Sequence, residues 1–446
     1  MKGGTILRKN HRRKSCIALP LAGVATICSL FAAGPAMAED TVLSGESTTI
    51  FRTRESMIDN RTLAPAYEYL RLSTTKDMGE NGSVSFYFGG WGRTDLGYRS
   101  TDRYQDADLQ YGYLSYRAPR NNLMVNMGRQ FIAEGVAAEK VDGLYVRSDF
   151  AAGFGGAVFA GAPVVTEPNS KGGDLVYGGR ITQGMPQYYT VGASALKADL
   201  SGNRFREEEG VDIWLHPLSQ AEAVGRSSYN SITNGWMEHA YTLTLRPLDS
   251  LSINVDYSSI NYQDYFFHMT TNVFSLISPS NPTGVIDPNE KMQNLGGSIS
   301  YTPIKSLTIA LDYKNYKYEI AGDANYYGGK ATFLLPESFV SGFAVHRMDG
   351  SSDKLRYNEY RVFASKKLQR FDLTLDCIMV GYDSRIDGVR NSYTVVGAAS
   401  YEIMPGLKIG ADVDYSKNPA FTDEVAGLIK LSYAFDIRRG AEGRAK

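Results

Sequence analysis

Cysteine is nearly missing from this chain. Three occur in 446 residues, Cys16, Cys28 and Cys377, and no two form a Cys-x-x-Cys pair. That excludes a zinc knuckle, a redox dithiol and a covalent c-type haem site. Histidine is scarce as well: His11, His216, His239, His268 and His346 show no His-x-x-x-His spacing for a metal. No Walker loop or dinucleotide fingerprint is present. Beyond residue 38 no run of 18 apolar residues occurs, so no transmembrane helix follows the N-terminal segment. Basic residues do not outnumber acidic ones, 47 against 48, which argues against nucleic acid as a partner. Neither His268 beside Thr270 and Thr271 nor His346 beside Asp349 builds an acid–base constellation, so we expect no catalysis, no metal and no cofactor. Asp349-Gly350-Ser351-Ser352-Asp353 reads as a polar hairpin tip rather than a calcium loop.

Residues 1–38 have the layout of a secretory signal peptide. Lys2, Arg8, Lys9, Arg12, Arg13 and Lys14 form a basic head, Ile17 to Ala33 an apolar stretch, and Ala36-Met37-Ala38 a cleavage site. An uncleaved anchor is the alternative. Ile27 before Cys28 argues against a lipoprotein. Cleavage removes two cysteines and six basic residues, leaving 41 basic against 48 acidic residues, a net charge of −7. Cys377 then shares an apolar face with Phe371, Leu373, Leu375 and Met379.

Tyrosine (30) and glycine (45) are plentiful, as suits aromatic girdles and close-packed barrel walls. Alternation of apolar and polar residues dominates after residue 64. One unit recurs three times, at Tyr241–Tyr257, Gly297–Tyr313 and Ala399–Tyr415: a strand pattern, a Pro turn, a second strand pattern ending Asp-Tyr. Each Tyr lies ten positions after its Pro, from Pro247, Pro303 and Pro405. At ~3.3 Å per residue and a tilt of ~40°, ten residues climb roughly 25 Å, the apolar height of an outer-membrane barrel. The spacing predicts a periplasmic turn at each Pro and an interfacial aromatic girdle at Tyr257, Tyr313 and Tyr415.

The predicted fold is all-β: a transmembrane antiparallel up-and-down barrel of about 18 or 20 strands over 64–436. Residues 39–63 read as a periplasmic lead-in, and 437–446 as a basic C-terminal tail after the strand ending Leu431, Tyr433, Phe435. Stretches at 96–106, 199–210, 217–235, 262–291 and 321–328 read as loops. Tyr262–Met292 is the longest, a cap, an inward constriction or an external loop. A soluble solenoid or sandwich is the structural alternative.

Alternation points Arg147, Arg180, Arg246, Lys314 and Arg361 into the lumen, with Asp256, Asp312, Glu359, Asp376 and Asp414. A charge facing lipid at the midplane would cost ~2–4 kcal/mol. Such residues tune ion selectivity or bridge strands. Glu134 and Glu139, in the irregular segment after Gly128, are candidates for a constriction, or for a plain hairpin turn.

Gly128–Arg147 (GRQFIAEGVAAEKVDGLYVR) resembles porin-like proteins of Gram-negative bacteria, especially the barrel subunits of porin–cytochrome conduits. The resemblance implies an outer-membrane pore, open to small solutes or ions, or a sheath holding multihaem c-type cytochromes for extracellular electron transfer. The expected partners are outer-membrane lipids and, for the sheath, those cytochromes. The Cys-x-x-Cys that some conduit barrels carry near the mature N-terminus is missing here.

Overall fold

In the computed structural model, the described residues are 41–55, 62–97, 105–164, 173–267, 289–336, 338–419 and 421–439. The signal peptide prediction lies outside them, as does His268.

The chain forms one antiparallel sheet that closes on itself. Its strands are β1 (Thr41–Glu55), β2 (Thr62–Leu63), β3 (Pro65–Asp77), β4 (Ser83–Asp95), β5 (Gln105–Arg117), β6 (Leu123–Glu134), β7 (Ala137–Asp149) and β8 (Phe154–Pro163). There follow β9 (Leu175–Met185), β10 (Tyr189–Leu200), β11 (Asn203–Leu218), β12 (Ala221–Asn230), β13 (Gly235–Leu248), β14 (Leu251–Asn261) and β15 (Lys291–Ile304). The rest are β16 (Leu307–Tyr318), β17 (Ala324–Leu335), β18 (Phe339–Gly350), β19 (Arg356–Leu368), β20 (Phe371–Ile386), β21 (Val389–Met404), β22 (Leu407–Asn418) and β23 (Phe421–Arg439). The two-residue β2 only bridges the end of β1. The other 22 build the wall, each paired with its sequence neighbours, and β1 closes it on β23 from Thr41↔Arg439 to Thr53↔Gly427.

The expected count of 18 or 20 strands is therefore too low. Residues 41–55, expected as a periplasmic lead-in, are the first wall strand. Residues 217–235, expected as a loop, contain β12, and 199–210 is a tight β10–β11 hairpin turning at Ser201-Gly202. The final strand runs on to Arg439, past residue 436, where the barrel was expected to end. The missed strands hide because their outer faces borrow apolar cover. A Cβ at Gly45 of β1 would meet the Phe435 ring at 2.4 Å, and one at Gly225 of β12 would meet Tyr241 at 2.0 Å. In each case the neighbouring strand's ring lies over the glycine, so the strand's own sequence shows no apolar stripe.

Strand alternation sorts the side chains as expected. Val255, Leu311, Val345, Val362, Val413 and Ile429 are exposed on the outer face. Exposed apolar side chains in a continuous outer band have lipid as their natural solvent. Tyr257, Tyr313 and Tyr415 share that outer face. Asn254, Asp256, Asn294 and Ser298 face the other way, hydrogen-bonded to one another across β14 and β15.

Candidate functional site

Among the described residues, the wall's pairing is shortest between β5 and β6. β5 and β6 pair only from Gly112↔Arg129 to Arg117↔Met124, while β6 and β7 stay paired to Glu134↔Ala137. Above Arg129 the β6–β7 hairpin leaves β5. Gly128, the last paired position before Arg129, has φ +125°, and a Cβ there would sit 2.3 Å from the Gly112 carbonyl oxygen. Only glycine permits that bend. The next pair up, Gly143 of β7 and Gly161 of β8, is similarly close: each Cβ would strike the neighbouring strand's backbone at 2.1 and 2.4 Å.

The hairpin tip crosses the inner face of β8 to β11. Its backbone N–H at Val136 donates to Ser194 Oγ on β10 at 3.0 Å. Ile132, Ala137, Val141 and Tyr145 pack against Ala157, Phe159, Val176, Leu196 and Ala198 in a dry cluster inside the barrel. Burying one such aliphatic side chain contributes ~1.5–3 kcal/mol. A second layer of structure thus lines one side of the lumen.

Charge pairs fasten that layer. Glu134 accepts a hydrogen bond from Tyr145 Oη at 2.6 Å and lies 3.5 Å from Arg180 and 3.7 Å from Arg147. Arg180 also forks onto Asp212 of β11. Glu139 receives Arg206 Nη1 at 2.9 Å, while Arg206 Nε and Nη2 donate to both oxygens of Glu208, each at 2.9 Å. Arg206 is only 2% exposed. The two candidate constriction residues are therefore the hairpin's anchors, each held by an arginine of the wall.

Elsewhere around the wall, Lys314 lies 3.7 Å from Asp256, and Asp312 meets His346 Nε2 at 2.9 Å. Arg361 forks onto Asp376 and packs over the Phe363 ring, which Lys330 also approaches at 4.9 Å. Arg246, Glu359 and Asp414 sit on the same inner face by alternation. Arg147, Arg180, Asp256, Asp312, Lys314, Arg361 and Asp376 thus belong to strand-bridging pairs. The structure does not bring all ten predicted lumenal charges into one ring.

Sequence reasoning missed Arg206 and Glu208, because 199–210 read as a loop, and it also missed Asp212, which pairs with Arg180. Also missed was a short helix, α1 (Tyr262–Tyr265), which leans over β12 to β14. Asn230 Nδ2 donates to the Asp264 carbonyl oxygen at 3.1 Å, and a Cβ at Gly235 would collide with the Asp264 carboxylate. Burial pushes the Tyr265 phenol above its ordinary value, and Glu238 adds to the shift. Between hairpin, wall and α1 lies a recess of about 490 Å3.

No protein family and no curated protein matches this sequence. Solved structures do. A mutant of the ferric enterobactin receptor PfeA from Pseudomonas aeruginosa superposes with a TM-score of 0.52 at 11% identity, covering 90% of this chain and 81% of that one. A second PfeA mutant gives 0.52 at 12%, covering 89% and 81%. OccAB4 of Acinetobacter baumannii gives 0.45 at 8%, covering 91% and 100%. The likeness to the receptor shows a shared fold, a closed antiparallel β-barrel.

Proposed function

We propose that the protein is an outer-membrane channel for passive passage of small hydrophilic solutes or ions, with the inward β6–β7 hairpin as its lateral constriction. The observation that carries this reading is that hairpin: a dry, charge-fastened second layer that narrows a polar lumen inside an apolar-banded wall. Lumen diameter grows with strand number, and 22 strands exceed the roughly 16–18 of water-filled porins. A wall this wide needs an internal element to discriminate by size.

The test is conductance of the purified full chain in planar bilayers. Discrete steps in wild type, larger after Glu134 and Glu139 are both changed to Gln, are the expected result. Channels with no steps above the bilayer background would overturn the reading. A visible spectrum of protein purified from its native membrane adds a separate outcome. A stoichiometric Soret band would mean a haem protein fills the lumen, because the chain has no haem attachment motif of its own.

A further inference from the structure

We propose that a track of aromatic rings on the lumenal face of β3, β4 and β5 is a binding site for neutral linear oligosaccharides, as solutes of this channel. The inference rests on the channel reading and names the class of solute that reading leaves open.

Register places the rings at successive levels of the lumen. Tyr67 and Tyr69 share the inner face of β3, and Trp91 of β4 pairs with Tyr69. One step further along, Arg71, Gly89 and Tyr111 stand abreast, and one step beyond that Ser73, Tyr87 and Tyr113 do. The opposite face of the same strands carries Phe86 and Leu114, both exposed in the outer band. At ~3.3 Å per residue, the distance from Tyr67 to Ser73 is roughly 20 Å along the strand, and every level in it bears a ring. Tyr67 and Tyr69 lie 6.2 Å apart and nearly parallel, at 19°. Tyr113 lies 5.0 Å from Tyr87 and 6.3 Å from Tyr111. A Cβ at Gly89 would meet the Tyr111 ring at 2.4 Å, so that ring covers the wall there and turns its other face to the lumen.

The chemistry of the track selects the solute. A pyranose ring has an apolar face of C–H bonds and a rim of hydroxyls. Its C–H face packs on the negative face of an aromatic ring. Its rim needs donors and acceptors beside the ring, and the track holds both. Arg71 and Glu46 lie 3.7 Å apart on β3 and β1, each about half exposed, and phenol hydroxyls both donate and accept. Arg71 and Glu46 carry opposite charges, so this flank offers hydrogen bonds without favouring an ion of either sign. A wholly apolar solute would strip water from the flank and return no hydrogen bond. Rings at successive levels engage several linked units of one chain at once, which favours an oligomer over a single sugar. β5 is also the strand that β6 leaves, so a solute on the track passes the base of the constricting hairpin.

The experiment is calorimetric titration of the full chain with maltohexaose, cellotetraose and glucose, in a detergent whose headgroup is not a sugar and so does not compete. Saturable millimolar binding of at least one oligosaccharide, and much weaker binding of glucose, is expected. Tyr69→Ala should weaken the oligosaccharide about fivefold, and Tyr69→Phe, which keeps the ring, should leave it nearly unchanged. Phe86→Ala, on the outer face of β4, should have no effect. Heat-modifiable migration in detergent gels confirms that each variant forms the barrel. No saturable binding of either oligosaccharide, equal affinity for glucose, or insensitivity to Tyr69→Ala would each overturn the proposal. Calorimetry does not depend on conduction. Conductance without oligosaccharide binding would sink this site and spare the channel, and binding without conductance would spare the site and sink the channel.

Discussion

Arg129 and Asp142 face each other across β6 and β7 in a two-pronged pair, at 2.7 and 2.9 Å, at the level where β6 parts from β5. The same guanidinium donates to the carbonyl oxygen of Leu109 at 3.1 Å and approaches Asp108 at 3.4 Å. Arg129 therefore occupies part of the β5 edge that β6 has vacated. An open strand edge is a liability, and here one side chain takes over a ladder partner's work.

Lysine cannot make this set of contacts, because it lacks the planar fork. Arg129→Lys is expected to lower the thermal midpoint of the folded barrel in detergent. Arg347→Lys removes a comparable fork onto Asp383, at 2.7 and 2.6 Å, away from any such seam. Differential scanning calorimetry of both variants checks the point. Equal midpoints would show that the seam has no special need of Arg129.

Removing Arg206 takes the shared guanidinium away from two buried carboxylates, Glu139 and Glu208. Arg206→Met is expected to cost about 3–5 kcal/mol, the usual penalty for breaking a buried ion group by deleting one partner. The hairpin should loosen before the wall does, since its apolar cluster and the wall ladders remain. Cleavage by an added protease near Gly135, compared between variant and wild type, reads this out. Unchanged protection would mean that packing alone holds the hairpin.

Gly128→Val should block assembly. The new side chain meets the Gly112 carbonyl oxygen at a backbone conformation it cannot adopt. The fraction of protein that shifts on heating in detergent gels should fall to a small part of wild type. A normal fraction would show that the β5–β6 separation does not depend on this bend.

Two substitutions at one height test the two faces of the wall. Leu311 is 59% exposed on the outer face, and Ser298 pairs with Asp312 on the inner one. Leu311→Arg carries a cost of ~2–4 kcal/mol in the bilayer core and should fail to assemble. Ser298→Arg should assemble and shift the reversal potential toward anions, because it neutralises Asp312. The opposite pattern would invert the facing of the whole wall.

Much of this architecture is legible in the residues. The Pro-to-Tyr repeat locates three hairpins with short turns, and alternation assigns Asp256, Asp312, Lys314 and Arg361 to the inner face that the structure gives them. Alternation fails where two strands share one apolar cover. β1 shows Gly45, Ser47 and Thr49 on a face that Phe435 and Leu72 shield, and no property of those three residues reports their neighbours. The recess was hidden for a related reason. Arg206-Glu207-Glu208-Glu209 falls in the 199–210 stretch that reads as a loop, until Glu139, some seventy residues earlier, is folded onto it.

The pairing of β1 with β23 carries a consequence for biogenesis. The seam joins the first and last of the described strands, so no shorter N-terminal fragment has a partner for the free edge of β1. Every intermediate before the seam forms exposes two open edges, and contacts so distant in sequence form slowly. The barrel is therefore sealed in a late step, and its open edges need shielding until then. A stop codon anywhere within β23 would be expected to yield a product cleared by proteases rather than a narrower barrel.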